Sequence, residues 1–526
     1  MIPGKTSTTE VTSIAPNSPH YDVIVVGGGG SGLAAALSAA EEGGQVLLLE
    51  SQPHLGGTTG IAIGSFTAAG TSLQRTKQID DAWTAHAEDV AKFAPPEIEA
   101  KNHESLRRFF LSEAAATFEW LRALGLSFVG PHPEPPNRHP RMHNVVPGAK
   151  AYIAELQLAL QRFPVEIVCQ ATAKLLLQRE GRVIGVRALV QGTIREFLAG
   201  SVILAGGDYA NNPDLIAEFK GEGFRDIEGI NPYATGEGHC LAREVGAKLL
   251  NMDVTYGPEL RFVPSKRRPF QQLLPARGRR ARWLGSLTKR LPDWLLQKYV
   301  KRLLVTWQHP EDALLEDGAI LVNDQGARFV NELASPDREQ AVARQPGRQA
   351  YLLLDQRLIE RYGKWPHFIS TAPDIAYAYV DDYLRLRPDV AVKGTDFSDV
   401  ARKRGLPGHP LEQTVDTLNR SIRAGKPDRL GRPRFGPPLE NGPCLLLGPV
   451  KAYFTTTEGG VAINQSLQVL DGKENAIPGL YAAGQNGLGG MILWGHGLHI
   501  AWALTSGRLA GKLALQYARS RGDALA

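Results

Sequence analysis

The chain has 526 residues, 43% of them hydrophobic and 21% charged, with a formal net charge of +5. That length calls for more than one domain, each with a real core. Its three cysteines, Cys169, Cys240 and Cys444, lie far apart and form no CxxC, haem-attachment or disulfide pattern, which points to a reducing, cytoplasmic setting. No run of about 18 apolar residues occurs, so no membrane-spanning helix is expected. Residues 1–20 are rich in Thr, Ser and Pro and lack a basic start or an apolar stretch; they read as a disordered tail, not a signal peptide.

The first predicted elements carry the strongest signal. Val23–Val26 is an apolar run that predicts a buried strand, and it breaks into Gly27-x-Gly29-x-x-Gly32, with Gly30 and Ser31 inside the pattern. Ala-rich periodicity from Leu33 to Ala40 predicts a helix, and Gln45–Leu49 predicts a second strand ending at Glu50 and Ser51. Glycines at this spacing permit the turn, the approach of a pyrophosphate to the backbone and tight helix–strand packing. The helix start offers free N–H groups to the anion. A carboxylate about 20 residues on can accept hydrogen bonds from a ribose. Strand, turn, helix, strand and acid in register predict a dinucleotide site.

Gly56-Gly57-Thr58-Thr59 follows as a small-residue loop able to lie against a phosphate or a planar ring. Residues 81–125 read as helical, and 130–148, with six prolines, as a loop. Val165–Val168, Lys174–Gln178 and Val183–Val190 read as strands of a smaller sheet. Ser201–Asp208 is a buried strand running into Ala205, Gly206 and Gly207, and Thr235–Gly238 opens a helix. From about residue 258 to 448 the texture changes to more Arg and Pro and shorter apolar runs. Regular signals return at Gly459–Val469, at Gly479-Leu480-Tyr481-Ala482-Ala483-Gly484-Gln485, and in a last helix from Leu498. The expected organisation is α/β: a Rossmann-like domain split in sequence (21–257 and 449–526) with an inserted α+β capping domain (258–448).

The ordered set of the glycine fingerprint, Gly56-Gly57-Thr58, VILAGGD, ATGEGH, ARFVNE, TEGGVAIN and GLYAAG resembles the fumarate reductase/succinate dehydrogenase flavoprotein superfamily, closest in type to its 3-ketosteroid dehydrogenase-like members. The resemblance implies FAD held along the glycine-rich segments named above, with Gln485 and His499 beside it. It also implies a substrate between the two domains and hydride transfer between flavin N5 and a substrate carbon. The FAD is expected to be non-covalent, because His54, two residues before Gly56, does not match the spacing of the histidine that succinate dehydrogenases attach to it. Fumarate-type enzymes place an acid arginine four positions after the Glu of NE, where this chain has Pro336. They place a histidine just before the GG motif, where it has Thr455-Thr456-Thr457-Glu458, and another arginine where it has Trp494. A dicarboxylate needs fixed, charge-assisted donors. The resemblance with these departures therefore implies desaturation or reduction of a C–C bond beside a carbonyl in a cyclic or lipophilic compound such as a ketosteroid. A reductase of an α,β-unsaturated carboxylic acid, reading its carboxylate with Arg141 or another residue outside the fumarate pattern, stands as the alternative. A membrane-docked electron-transfer subunit is a third.

Such chemistry needs a base or acid, an enolate-stabilising donor and a placed hydride partner. Gly497 matches the glycine whose N–H serves ketosteroid enzymes. His496 is an acid–base candidate or a helix cap. His143, in Arg141-Met142-His143, matches an Arg-x-His of fumarate-type enzymes or is a surface histidine. Tyr453 lines the pocket or is a core tyrosine, and Tyr233 and Tyr256 are weaker candidates. His499 is also open to a structural reading, satisfied by the opposite domain, and no metal site is expected. With no second dinucleotide fingerprint, a quinone, oxygen or a redox protein is the expected electron partner. Finally, Arg261 to Arg302 carries thirteen Lys or Arg against one acid, so the remainder of the chain is acidic and nucleic-acid binding is a poor account of the total. Cations interleaved with Trp283, Trp294, Tyr299 and Trp307 suggest contact of 261–307 with an anionic membrane surface, peripheral on the inner face; a solvated helix face is the alternative.

Overall fold

The structure is a computed structural model that describes residues 19–265, 309–372 and 376–522, with positions 274–278, 280, 283, 301 and 305. The expected tail lies almost wholly outside the described residues, as does most of the basic stretch. Strand His20–Val26 sits at the middle of a parallel sheet, flanked by Val46–Glu50 on one side and Thr193–Leu204 on the other. Val165–Cys169 extends the first side, and Ala476–Ala482 the second. At the centre of the sheet Val23–Val26, Val46–Leu49 and Val202–Leu204 are apolar and buried, because both faces of a parallel sheet are covered there. Helices Gly30–Glu41 and Leu498–Gly522 pack against each other nearly backbone to backbone: a Cβ at Gly507 or Gly511 would stand 2.2 Å from the carbonyl oxygen of Ser31 or Ala35. The Ala-rich sequence of the first helix is the counterpart of that close approach.

Two expectations are corrected here. Val165–Cys169 is an edge of the main sheet and not part of a smaller one; the hairpin Ala171–Arg179/Arg182–Val190 joins the same sheet through Thr193–Leu204. The Pro-rich stretch is also more than a loop. Ser127–His132 and Met142–Val146 pair there and, with Ser65–Thr67, make a three-stranded sheet. Its prolines fall largely between the two strands, where no ladder donor is needed.

The second unit is built round Cys444–Phe454, an 11-residue strand that pairs with Glu228–Gly229, Glu259–Phe262, Ala350–Leu354 and Ala391–Gly394. Its apolar core reaches beyond the insertion and includes Tyr209, Ile227 and Met252. Alternation along the strand buries Val450, Ala452 and Phe454 and leaves Lys451, Tyr453 and Thr455 on the other, polar face. That polar face, with Glu259 and Arg261 from the neighbouring strand, is what the cap brings towards the last helix. No helix among the described residues is long and apolar enough to cross a membrane.

Candidate active site

The fingerprint segment forms as its sequence demands. A Cβ at Gly32 would lie 1.8 Å from the Gly27 carbonyl oxygen, so the helix crosses the strand turn at a distance only glycine allows. Glu50 is turned back onto this turn: its Oε2 accepts the Gly28 N–H at 2.6 Å, and its Oε1 accepts those of the Gln52 backbone (2.8 Å) and the Ser51 hydroxyl (3.2 Å). The segment expected as a loop forms a short helix, Gly57–Ile61, that closes over it, with the Gly56 N–H on the Gly28 carbonyl and Asn231 Nδ2 donating to Thr58 Oγ1 at 2.9 Å. Gly484 docks on the last helix, donating to Ser506 Oγ at 2.8 Å and accepting from Trp502 Nε1 at 2.9 Å. Gln485 Nε2 reaches the other unit, donating to Thr456 Oγ1 and the Thr457 carbonyl, both at 2.8 Å.

Between these segments runs a cleft walled by backbone. A Cβ built at Gly29 or Gly56 meets nothing nearer than 3.9 Å, and one at Gly207 meets nothing within 4 Å. Just after Gly56–Thr59 in the chain, Ile61 and Ile63 stay exposed, Ile63 by 65%. Open glycines beside a helix N-terminus suit a pyrophosphate, and bare isoleucines suit the face of a planar ring. The residues present therefore fit FAD. Gly27, Gly29–Gly32, Glu50 and Ser51, Gly56–Thr59, Ala205–Gly207, Gly484 and Gln485 would hold it; Asn231 is an addition that no local sequence pattern marks.

The catalytic candidates separate sharply. His496 precedes the last helix with its side chain 64% exposed. One carboxylate oxygen, Glu134 Oε1, takes both its ring Nδ1 at 2.5 Å and its backbone N–H at 2.9 Å, and Thr67 Oγ1 donates to its carbonyl at 2.6 Å. The hydrogen bond to Glu134 holds the imidazole above its ordinary range, against the opposing cost of burial. Glu259 raises it further and Arg261 lowers it, so both stand close enough to be felt. The Gly497 N–H makes no hydrogen bond among the described residues.

His143 is fully buried instead. Its Nε2 lies 3.0 Å from Thr71 Oγ1, its Nδ1 3.3 Å from the Phe66 carbonyl, and its ring packs on Phe118. Burial pushes it down to about 4, so it is a neutral packing residue, neither a surface histidine nor one facing a substrate. Arg141 is also consumed: it pairs with Asp81 and Asp89 at 2.7 Å, and all three side chains are buried. Tyr453 is half-buried on the cap sheet opposite Glu228 and Glu259, pushed up to about 12 by burial and then by Glu228, which removes it as a ready acid or base. His499 Nε2 lies 2.8 Å from Glu458 Oε1, whose Oε2 accepts the Leu493 N–H; it ties the last helix to the returning segment and does not point at the cleft as a ring ligand.

Strand pairing brings in residues with no local signature. Arg261 donates to Glu259 Oε1 at 2.9 Å and to Thr455 Oγ1 at 3.3 Å, and Thr455 Oγ1 donates to Glu259 at 2.8 Å. Tyr256 meets Trp494 edge to face at 5.5 Å and responds to Glu259, Arg261, Glu134 and Glu458, so it belongs to the same pocket. The fumarate-type slots remain without guanidinium groups. Pro336 precedes helix Asp337–Ala343, and nearby Arg338 is turned inward to the Glu332 carbonyl, Glu339 and Asp312.

A family model described as FAD binding domain matches residues 22–280 and 292–495. The fumarate reductase (cytochrome) of Shewanella frigidimarina is 28% identical over 485 residues, covering 90% of this chain and 73% of that one. The vinyl phenol reductase of Lactiplantibacillus plantarum is 27% identical over 515 residues, covering 94% and 97%. Among solved structures, the open conformation of a flavocytochrome c3 fumarate reductase matches with a TM-score of 0.70 at 25% identity, covering 95% of this chain and 79% of that one. A 3-ketosteroid Δ1-dehydrogenase from Sterolibacterium denitrificans matches at 0.61 and 20%, covering 96% and 100%, a likeness of fold alone. With a fingerprint cleft that fits the nucleotide and a family match over most of its length, the chain belongs to the FAD binding domain family and is an FAD-dependent oxidoreductase of the fumarate reductase family, acting on C–C bonds.

Proposed function

We propose that the enzyme reduces the C=C bond of an α,β-unsaturated carboxylic acid whose other end is apolar or aromatic. The ketosteroid-type reading, which the fumarate-slot departures first favoured, now rests on fold likeness alone, whereas the sequence relatives include a fumarate reductase. The carrying observation is the pairing of one cation, Arg261, with an aromatic wall, Trp494 and Tyr256, beside a solvent-reachable His496. A single guanidinium already shared with Glu259 suits one carboxylate, not two. Trp494, standing where the fumarate-type enzymes carry an arginine, suits a ring or hydrocarbon. The relative that matches end to end is named for a vinyl phenol, an alkene on an aromatic ring.

Reduced FAD, when bound, supplies hydride to the β-carbon. The protein does the remainder. Arg261 and Thr455 orient the carboxylate, the Gly497 N–H stabilises charge building on its oxygen, and His496 gives a proton to the α-carbon. Electrons come from a quinone or a redox protein.

The test follows re-oxidation of the reduced flavin at its visible band, without oxygen, after adding aryl-substituted acrylic acids, fumarate, cyclic enones or steroid enones. Rapid re-oxidation by the aryl acids and little by fumarate is expected. Re-oxidation by enones alone returns the substrate to the ketosteroid type; by fumarate alone, it overturns the one-carboxylate reading.

A further inference from the structure

Glu134 has no part in any sequence motif, yet it is the only carboxylate among the described residues hydrogen-bonded to the His496 ring, and it lies 362 positions away in the chain. Its Oε1 is shared between Nδ1 and the backbone N–H of the same residue, which fixes the ring about two bonds at once. Nε2 is then left as the outward nitrogen, with no partner among the described residues. Oε2 of Glu134 is buried and likewise unpartnered. The groups facing the ring from other elements are Glu259 and Arg261 on the cap strand, and Thr67 contacts its backbone from the small sheet.

We propose that Glu134 is the positioning residue of a proton-delivery pair: it orients His496 through Nδ1 so that Nε2 donates to the substrate, and its charge keeps that nitrogen loaded. This deepens the proposed reduction and rests on it. One turnover breaks the C=C π bond and forms two C–H bonds. The hydride and both electrons come from the reduced cofactor, and the proton comes from His496 Nε2. Nδ1–H stays on Glu134 throughout, and Nε2 takes its replacement proton from water, to which the 64%-exposed side chain has access.

The imidazolium is the donor, so turnover is full below its raised pKa and falls as pH climbs through it. The experiment compares wild type with Glu134→Gln, which keeps an acceptor and removes the charge. His496 is titrated by NMR of ring-labelled histidine, assigned with His496→Gln, and turnover is measured from pH 5.5 to 9 on whichever alkene the wild type reduces. The NMR midpoint and the alkaline limb of turnover should both move down, by about one pH unit or more, so that activity at pH 8 drops roughly tenfold and at pH 6 barely changes. FAD absorbance should be unaltered, and Glu134→Asp should restore part of the shift. An unmoved NMR midpoint, or a midpoint that moves while the turnover profile stays put, overturns the pair. A wild type that reduces only enones refutes the acid substrate and leaves the pair to be judged by the same two curves.

Discussion

Two charged clusters each take one member from the Pro-rich stretch, Arg141 and Glu134, and serve opposite ends. Around Arg141 every guanidinium nitrogen is matched: Asp81 and Asp89 take its ion pairs, Asn137 takes a further bond at 2.9 Å, and all three charged side chains are buried. Around Glu134 and His496 one nitrogen is held and one is open, at the edge of the cleft. The first cluster ties the Pro-rich stretch to the helix Trp83–Val90; the second can exchange a proton. Saturation of hydrogen-bonding capacity, more than residue type, separates architecture from chemistry here. The two histidines repeat the lesson, since His143 is driven down to about 4 by burial while His496 is raised by its carboxylate.

The comparison can be broken at its largest effect first. His496→Gln should lower reductive turnover by about 10²- to 10⁴-fold, with flavin absorbance and thermal midpoint unchanged, measured by steady-state kinetics beside a melting curve. Arg141→Ala should do the reverse: it strands two buried carboxylates and costs about 3–5 kcal/mol of stability, read from denaturant unfolding. A stable Arg141→Ala enzyme that has lost affinity for substrate acids would return Arg141 to the site. The smallest effect sharpens the histidine contrast. His143 and His239 are both held at about 4, so each favours the folded state fully above its unfolded value near 6.5 and loses that contribution as pH falls towards 4. Stability should therefore decline across that window, and His143→Gln should flatten part of the slope if the variant retains its fold. A slope unchanged by His143→Gln would mean that this ring is not neutral in the folded state.

Much of the cofactor domain was readable because its signals are local. A glycine that permits a turn, an apolar run covered on both faces and an acid at the strand end each act within about thirty residues. The cap was less readable: its central strand Cys444–Phe454 gathers partners from residues 228 to 394, and no short window holds that pairing. The Pro-rich stretch misled for a related reason, since its two strands are short and stabilised by Ser65–Thr67, some sixty residues earlier. At the candidate site, His496 and Gly497 could be proposed from sequence because they adjoin the last helix. Tyr256 stood only as a weaker candidate, and Arg261, Glu259 and Glu134 were missed as site residues, because each is an ordinary residue until packing sets it against the others.

The dinucleotide-binding α/β frame was legible in the order of the residues alone, because backbone sterics and apolar periodicity are properties of neighbours in the chain. The tertiary structure alone decided which charges are spent and which are available: Arg141 and His143 buried and satisfied, His496 oriented by a carboxylate from a distant loop. That decision depends on desolvation and hydrogen-bond geometry between segments hundreds of residues apart, and no linear pattern encodes those distances.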